Sequence, residues 1–152
     1  MRSEPRFRSI ASYPVVRVLE TLFSDMDIQR HVNNVAITRY FEEARSALRR
    51  AVAQAYPGQL ASVVLASVEV HYLREVSYPG PVQVGIGTGR LGTTSWQSLA
   101  GLFQDGECVA LSRATDIRRT ADRTAGQRLT EQERAALAGF AVGGEAAGTV
   151  RP

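Results

Sequence analysis

The 152-residue chain has no lysine, one cysteine, one tryptophan and two histidines. Each shortage removes a class of protein. The single thiol, Cys108, rules out an internal disulfide and any multi-cysteine metal knot. No apolar run approaches the roughly 20 residues that a membrane-spanning helix needs. The first 20 residues carry Arg2, Arg6, Arg8 and Arg17 and no apolar segment of signal-peptide length, so a cytoplasmic protein away from membranes is expected. All 18 basic residues are arginine against 15 acidic ones, a net charge of +3. That charge is spread along the chain, whereas nucleic-acid binding asks for a concentrated basic face. No nucleic-acid partner is expected. A Gly-x-Ser-x-Gly elbow is also missing, which disfavours a serine hydrolase.

What is present suits one globular domain. Apolar residues make up 44% and charged residues 22%, and a chain this long buries about two-thirds of its unfolded surface without staples. Val15 to Phe23 is rich in β-branched and aromatic residues and reads as a strand. From about Val35 the period becomes helical: Ile37, Tyr40, Phe41, Ala44, Leu48 and Ala51 form one apolar stripe. Asn33 or Asn34 would cap this helix, and Tyr56-Pro57-Gly58 would end it. Four strands follow, Ser62–Tyr72, Val82–Arg90, Ser95–Gln104 and Glu107–Arg118, with Asp105-Gly106 as a two-residue hairpin turn. Thr130 to Glu133 fits a capping box opening a short helix to about Phe140. The glycine- and alanine-rich tail reads as frayed. One strand, one long helix and four consecutive strands make an α+β order, an antiparallel five-stranded sheet wrapped on one helix. Its other face and its edges would want a partner, so a homo-oligomer is expected.

The chemistry concentrates between Asp25 and Asn34, where two acids, a histidine and two asparagines precede a helix N-terminus. Free backbone N–H groups near Asn34 and Val35 would stabilise an oxyanion. A carboxylate in the same loop would serve as a nucleophile or as a base for water. His31 would orient a carboxylate or water, or titrate itself. The plainer alternative is that the acids complement the helix dipole and the asparagines cap. Elsewhere, Gly85-Ile-Gly-Thr-Gly89 lies inside a strand pattern with no helix after it, so strand curvature or close packing outweighs a phosphate loop. His71 has no partner at metal-ligand spacing, and no metal is expected. Cys108 reads as a small apolar strand residue.

The string Ser24-Asp-Met-Asp-Ile-Gln-Arg-His-Val-Asn-Asn34, followed by Arg39-Tyr-Phe-Glu-Glu-Ala-Arg45, resembles the hotdog-fold acyl-CoA thioesterases of the 4-hydroxybenzoyl-CoA thioesterase family. The likeness continues through Tyr72-Leu-Arg74, Pro79-Gly-Pro-Val82, Arg90 to Trp96 and Asp105 to Ala110. It implies a single hotdog domain over 12–140, with flexible termini at 1–11 and 141–152. By that resemblance Asp27 takes the place of the catalytic aspartate, and the backbone N–H of Asn34 polarises the thioester carbonyl. His31 supports them, Asp25 is structural, and Arg90, Thr94 and Ser95 help to hold the CoA phosphates or pantetheine. It implies an acyl-CoA thioesterase acting without a cofactor, as a homodimer or homotetramer. The alternatives are an acyl carrier protein thioesterase or a non-catalytic acyl-CoA binder. Acyl carrier protein thioesterases share His-Val-Asn-Asn, yet carry asparagine at the position of Gln29 and cysteine near Val76. Arg30 stands where acyl-CoA members usually have glycine, so a different loop shape is expected there.

Overall fold

The computed structural model describes residues 1, 3–56 and 62–144. Five strands, β1 (Val15–Glu20), β2 (Val63–Tyr72), β3 (Pro81–Leu91), β4 (Ser95–Gln104) and β5 (Glu107–Arg118), form one antiparallel sheet in the order β1-β3-β4-β5-β2. The long helix α1 (Asn34–Ala55) lies across its inner face, and α2 (Glu131–Ala138) follows the last strand. This is the hotdog arrangement.

Strand alternation builds two cores from one sheet. Inward residues Val82, Val84, Ile86, Trp96 and Leu102 pack on the α1 stripe of Ile37, Tyr40, Phe41, Ala44 and Leu48. Phe41 is wholly buried, and truncating such a side chain costs about 3–5 kcal/mol. Outward residues Leu99, Phe103 and Leu111 gather Phe7, Tyr13 and Val142 into a second cluster. The glycines of β3 make this second cluster possible. A Cβ on Gly85 would stand 2.7 Å from the Tyr13 ring, and one on Gly87 would stand 2.6 Å from the Phe140 carbonyl oxygen. Close packing is therefore their role.

Local chemistry sets the boundaries. Asn33 caps α1 through Oδ1, which accepts from the Ala36 amide at 2.8 Å. At the other end Tyr56 is the C-cap, and the Pro57-Gly58 pair lies outside the described residues. Asp105 and Gly106 both take positive φ, 51° and 80°, as a two-residue type I′ turn requires. Thr130 and Glu133 form the capping box in both directions, 3.2 and 2.8 Å.

One expectation needs correction. The first strand stops at Glu20, short of Phe23. There Thr21 donates to the Gly80 carbonyl through both its amide and its hydroxyl, and the next residues turn into a 3-10 turn, Phe23–Asp25. Ahead of β1 the chain holds two further 3-10 turns, Pro5–Arg8 and Ile10–Ser12. Phe7 is buried there, and the Tyr13 hydroxyl donates to its carbonyl at 2.8 Å. Beyond α2 the chain docks on β3. Thr88 donates to the Phe140 carbonyl and accepts from Val142, while Gly143 donates to the Ser12 carbonyl. The tail beyond Gly144 lies outside the described residues.

Candidate active site

Asp25 organises the loop that precedes α1. Its side chain is 3% exposed. The carboxylate accepts from the Tyr40 hydroxyl at 2.6 Å, from Arg39 Nη2 at 2.8 Å on both oxygens, and from the Leu22 amide at 3.1 Å. Burial pushes its pKa up, but the hydrogen bonds from Tyr40, Leu22 and Arg39 more than reverse that, and the carboxyl sits below its ordinary value. Burial and the Asp25 charge together push the Tyr40 phenol well up. The Asp25 carbonyl also accepts from the Asn33 amide at 2.8 Å, which fixes the start of the helix.

Between this clamp and the helix the chain makes a small hairpin. Met26 bridges Val32, the Asp27 amide donates to the His31 carbonyl at 3.0 Å, and the Arg30 amide donates to the Asp27 carbonyl at 3.0 Å. A three-residue loop of this kind places its last residue in the left-handed region. That residue is Arg30, at φ 67°. The loop therefore holds Arg30 in a conformation that glycine favours, with an arginine bearing the cost.

The hairpin presents Asp27 to solvent. Its Oδ1 accepts from the Gln29 amide at 2.8 Å, and Oδ2 has no partner among the described residues. Val32 N donates to the Val76 carbonyl at 2.9 Å, tying the hairpin to the β2–β3 connection. That tie brings Glu75 to His31, Oε2 to Nε2 at 3.1 Å. Asp27, His31 and Asn34 line one cleft of about 780 Å³, together with Tyr72, Arg74 and Glu75. Asn34 opens α1, where the first amides have no intrahelical carbonyl to bond. One wall thus carries a carboxylate oxygen, an imidazole and a helix N-terminus. Such a set can attack or hydrate a carbonyl carbon while holding the charge that develops on its oxygen.

Glu75 had no sequence signal of its own, because it comes 44 residues after His31 and only the Val32–Val76 bond makes them neighbours. Arg90, Thr94 and Ser95 are not brought to this cleft within one chain. They sit at the far end of β3 and in the turn after it, roughly 30 Å along the strand at its usual rise per residue. The turn is tied inward: Thr94 O accepts from Arg118 N, Thr93 O from Leu129 N, and Trp96 is buried behind it. Arg90 lines a separate cavity on the outer face of the sheet. Cys108 is half-buried, with its thiol pushed up to about 11 by burial against the opposing charge of Arg8, which makes it a poor nucleophile. His71 lies on the edge strand β2 beside Glu69, 3.2 Å away. Among the described residues no three His, Cys, Asp or Glu side chains group as a metal site would require.

The family described as the thioesterase-like superfamily matches residues 21–125. Among solved structures, the PA5185 protein of Pseudomonas aeruginosa is 25% identical, with a TM-score of 0.76 over 91% of this chain and 99% of that one. A Thermus thermophilus thioesterase complexed with coenzyme A and zinc is 26% identical, with a TM-score of 0.71 over 83% and 92% of the two chains. The DHNA-CoA thioesterase of Staphylococcus aureus, 18% identical, shares the fold, with a TM-score of 0.66 over 76% and 80%. No curated protein matches the chain.

Proposed function

The chain belongs to the thioesterase-like superfamily and is a thioester hydrolase; from that premise we propose that it hydrolyses an acyl-CoA to the free acid and CoA, using Asp27. The observation that carries this reading is the pairing of the free Asp27 Oδ2 with the first-turn amides at Asn34 along one cleft. Either Oδ2 attacks the thioester carbonyl, giving an acyl-aspartyl anhydride that water then opens, or it takes a proton from the attacking water. In both routes the carbonyl oxygen becomes an oxyanion, and the Asn34 amide is the donor that stabilises it. Donors of this kind are worth about 2.7–4 kcal/mol. His31 lines the same cleft, its Nε2 held by Glu75 at 3.1 Å, and on this reading it returns a proton to the departing thiolate.

The Thermus thermophilus relative, complexed with coenzyme A, supports a CoA thioester as the substrate. A homodimer or homotetramer is supported by β2. It ends the sheet with Leu65 and Val68 exposed, and no strand pairs its outer edge among the described residues. One observation favours a second reading, a carrier-protein thioester. Phe23, Ile28 and Val35, exposed to 72%, 100% and 80%, surround the site loop in a way that suits a protein surface better than a nucleotide. Among the described residues no helix is long and apolar enough to cross a membrane.

The deciding experiment measures thiol release from short, long and aromatic acyl-CoAs by the wild type and by Asp27→Asn. A fall of a hundredfold or more in kcat, with an unchanged melting temperature, is expected of the variant. Equal rates would overturn the role of Asp27. Offering the same acyl group on a carrier protein compares the two substrate classes by kcat/KM.

A further inference from the structure

We propose that the cavity on the outer face of the sheet is a binding site for a phosphate-bearing anion, held by Arg90 and Arg113. The cavity measures about 380 Å³ and lies under the N-terminal turn, against β3, β4 and β5. Arg6, Arg90, Arg113 and Gln97 are on its walls, with Leu99 at its base. That volume is within the range of small-molecule sites.

Charge makes the site specific. The one carboxylate on the wall, Glu4, is committed to Arg6 through Nε at 3.0 Å and Nη2 at 2.8 Å. Arg6 also lies over the Phe7 ring at 4.7 Å, which holds it in place. Arg90 and Arg113 have no hydrogen-bond or ion-pair partner among the described residues. Across the ladder Arg113 faces Glu69, whose Oε1 is held instead by His71 Nε2 at 3.2 Å. The Nε of Arg113 is out of contact with water and unbonded. A guanidinium does not shed its proton in a protein, so Arg113 keeps an uncompensated positive charge, and its Nη groups are the donors left for an anion in the cavity.

The backbone is shaped to the same end. The β3–β4 register slips between Thr88 and Leu91, leaving Gly89 and Arg90 unpaired. The buried Thr88 donates its hydroxyl to the Leu137 carbonyl and Leu91 packs against the inner core, while Gly89 and Arg90, between them, line the outer cavity that Thr88 also borders. A bulge of this kind re-aims a side chain. Two guanidinium forks without a carboxylate partner, lining one open cavity, match the oxygens of a phosphate or diphosphate better than a lone carboxylate. The phosphate has two sources, a free phosphorylated metabolite or the nucleotide head of a CoA seated on a neighbouring copy.

Calorimetric titration of the full chain with inorganic pyrophosphate, and separately with adenosine 3′,5′-bisphosphate, tests the site. Saturable binding that weakens as salt rises is expected, reduced at least tenfold by Arg113→Gln and abolished in the Arg90→Gln/Arg113→Gln double variant. Arg113→Lys keeps the charge without the fork and should recover only part of the affinity. Absence of binding to both probes overturns the proposal, as does a double variant that melts like the wild type and binds as tightly. If the double variant raises KM for an acyl-CoA but not for the acyl-pantetheine, the site holds the CoA head. If pyrophosphate binding is lost and KM is unchanged, it holds a free ligand. Arginine-dependent binding in a chain that hydrolyses no thioester would leave this site standing and remove the proposed reaction.

Discussion

Asp25 and Asp27 stand two residues apart and should fail in opposite ways when replaced. Asp25→Ala removes a buried acceptor from three donors. The buried Tyr40 hydroxyl loses its partner at about 1–3 kcal/mol for an unsatisfied buried group, and the Leu22 amide, on a half-exposed residue, loses a bond worth about 0.5–1.5 kcal/mol. The Arg39 head, whose side chain is 51% exposed, returns to water, so its pair adds only about 0.5 kcal/mol. The sum is roughly 3–4 kcal/mol, or a melting temperature lower by about 8–12 °C for a chain of this size. Asp25→Asn keeps one acceptor oxygen and should lose about half of that. The pH dependence carries the sign of a depressed carboxyl. Stability from Asp25 is fully present above the unfolded carboxyl range, near pH 4, and is lost as pH falls through the lower folded value. The gap between wild type and variant should therefore be constant from pH 8 to pH 5 and close on further acidification. Thermal unfolding followed by circular dichroism over that range provides the assay, with Asp27→Asn as the reference that loses activity and keeps stability. An Asp25→Ala protein within 1 °C of wild type, or a gap that widens in acid, would refute this account of the loop.

Arg30→Gly should fold and turn over like the wild type, because relief at φ 67° and the entropy cost of glycine nearly cancel, each about 1 kcal/mol. Arg30→Val should lose about 1–2 kcal/mol in chemical denaturation, since a β-branched residue tolerates that region badly. Asp116 lies 1% exposed beneath α1, and burial raises its pKa against the pull of the Ser98 hydroxyl, Arg49 and Arg45, with Glu42 adding to the rise. Stability from such a group is present below the unfolded value and is lost as pH climbs through the raised one. Asp116→Asn, which still accepts from Ser98, should therefore gain in melting temperature over wild type between pH 4 and pH 8; a gain that shrinks over that range would contradict this.

The elements that sequence reveals well are those whose own period decides them. The α1 stripe and the inward residues of β3 to β5 repeat at helix or strand spacing, and the structure buries them on those faces. Misreadings fall where a distant residue decides. Leu22 and Phe23 look like strand, yet the Asp25 carboxylate and the Gly80 carbonyl bend the chain before them. Phe7 and Tyr13 are scattered among arginines and show no period, so only the outer face of β4 and β5 reveals why they are apolar. That Asp27, His31 and Asn34 share one cleft was readable because they fall within eight residues. Glu75 was not, being set by a backbone bond across the fold. Arg90 was expected beside the CoA phosphates, but the bulge that sends it to the outer face leaves no trace in composition.

The two chain ends meet on the middle strand: Ser12 O accepts from Gly143 N, and Thr88 bonds both Phe140 and Val142. During synthesis this places a delay on one side of the sheet. Phe103 and Leu111 are already translated when the ribosome reaches α2, yet Val142, part of their cover, has still to be made. Once β5 emerges the inner layer has α1 and all five strands and lacks only the side of its cover that Leu129 and Leu137 supply, whereas the outer layer waits for the final turn of chain. A nascent protein paused between these two moments has its Asp25–Asn34 loop and long helix in hand while its back remains open to water.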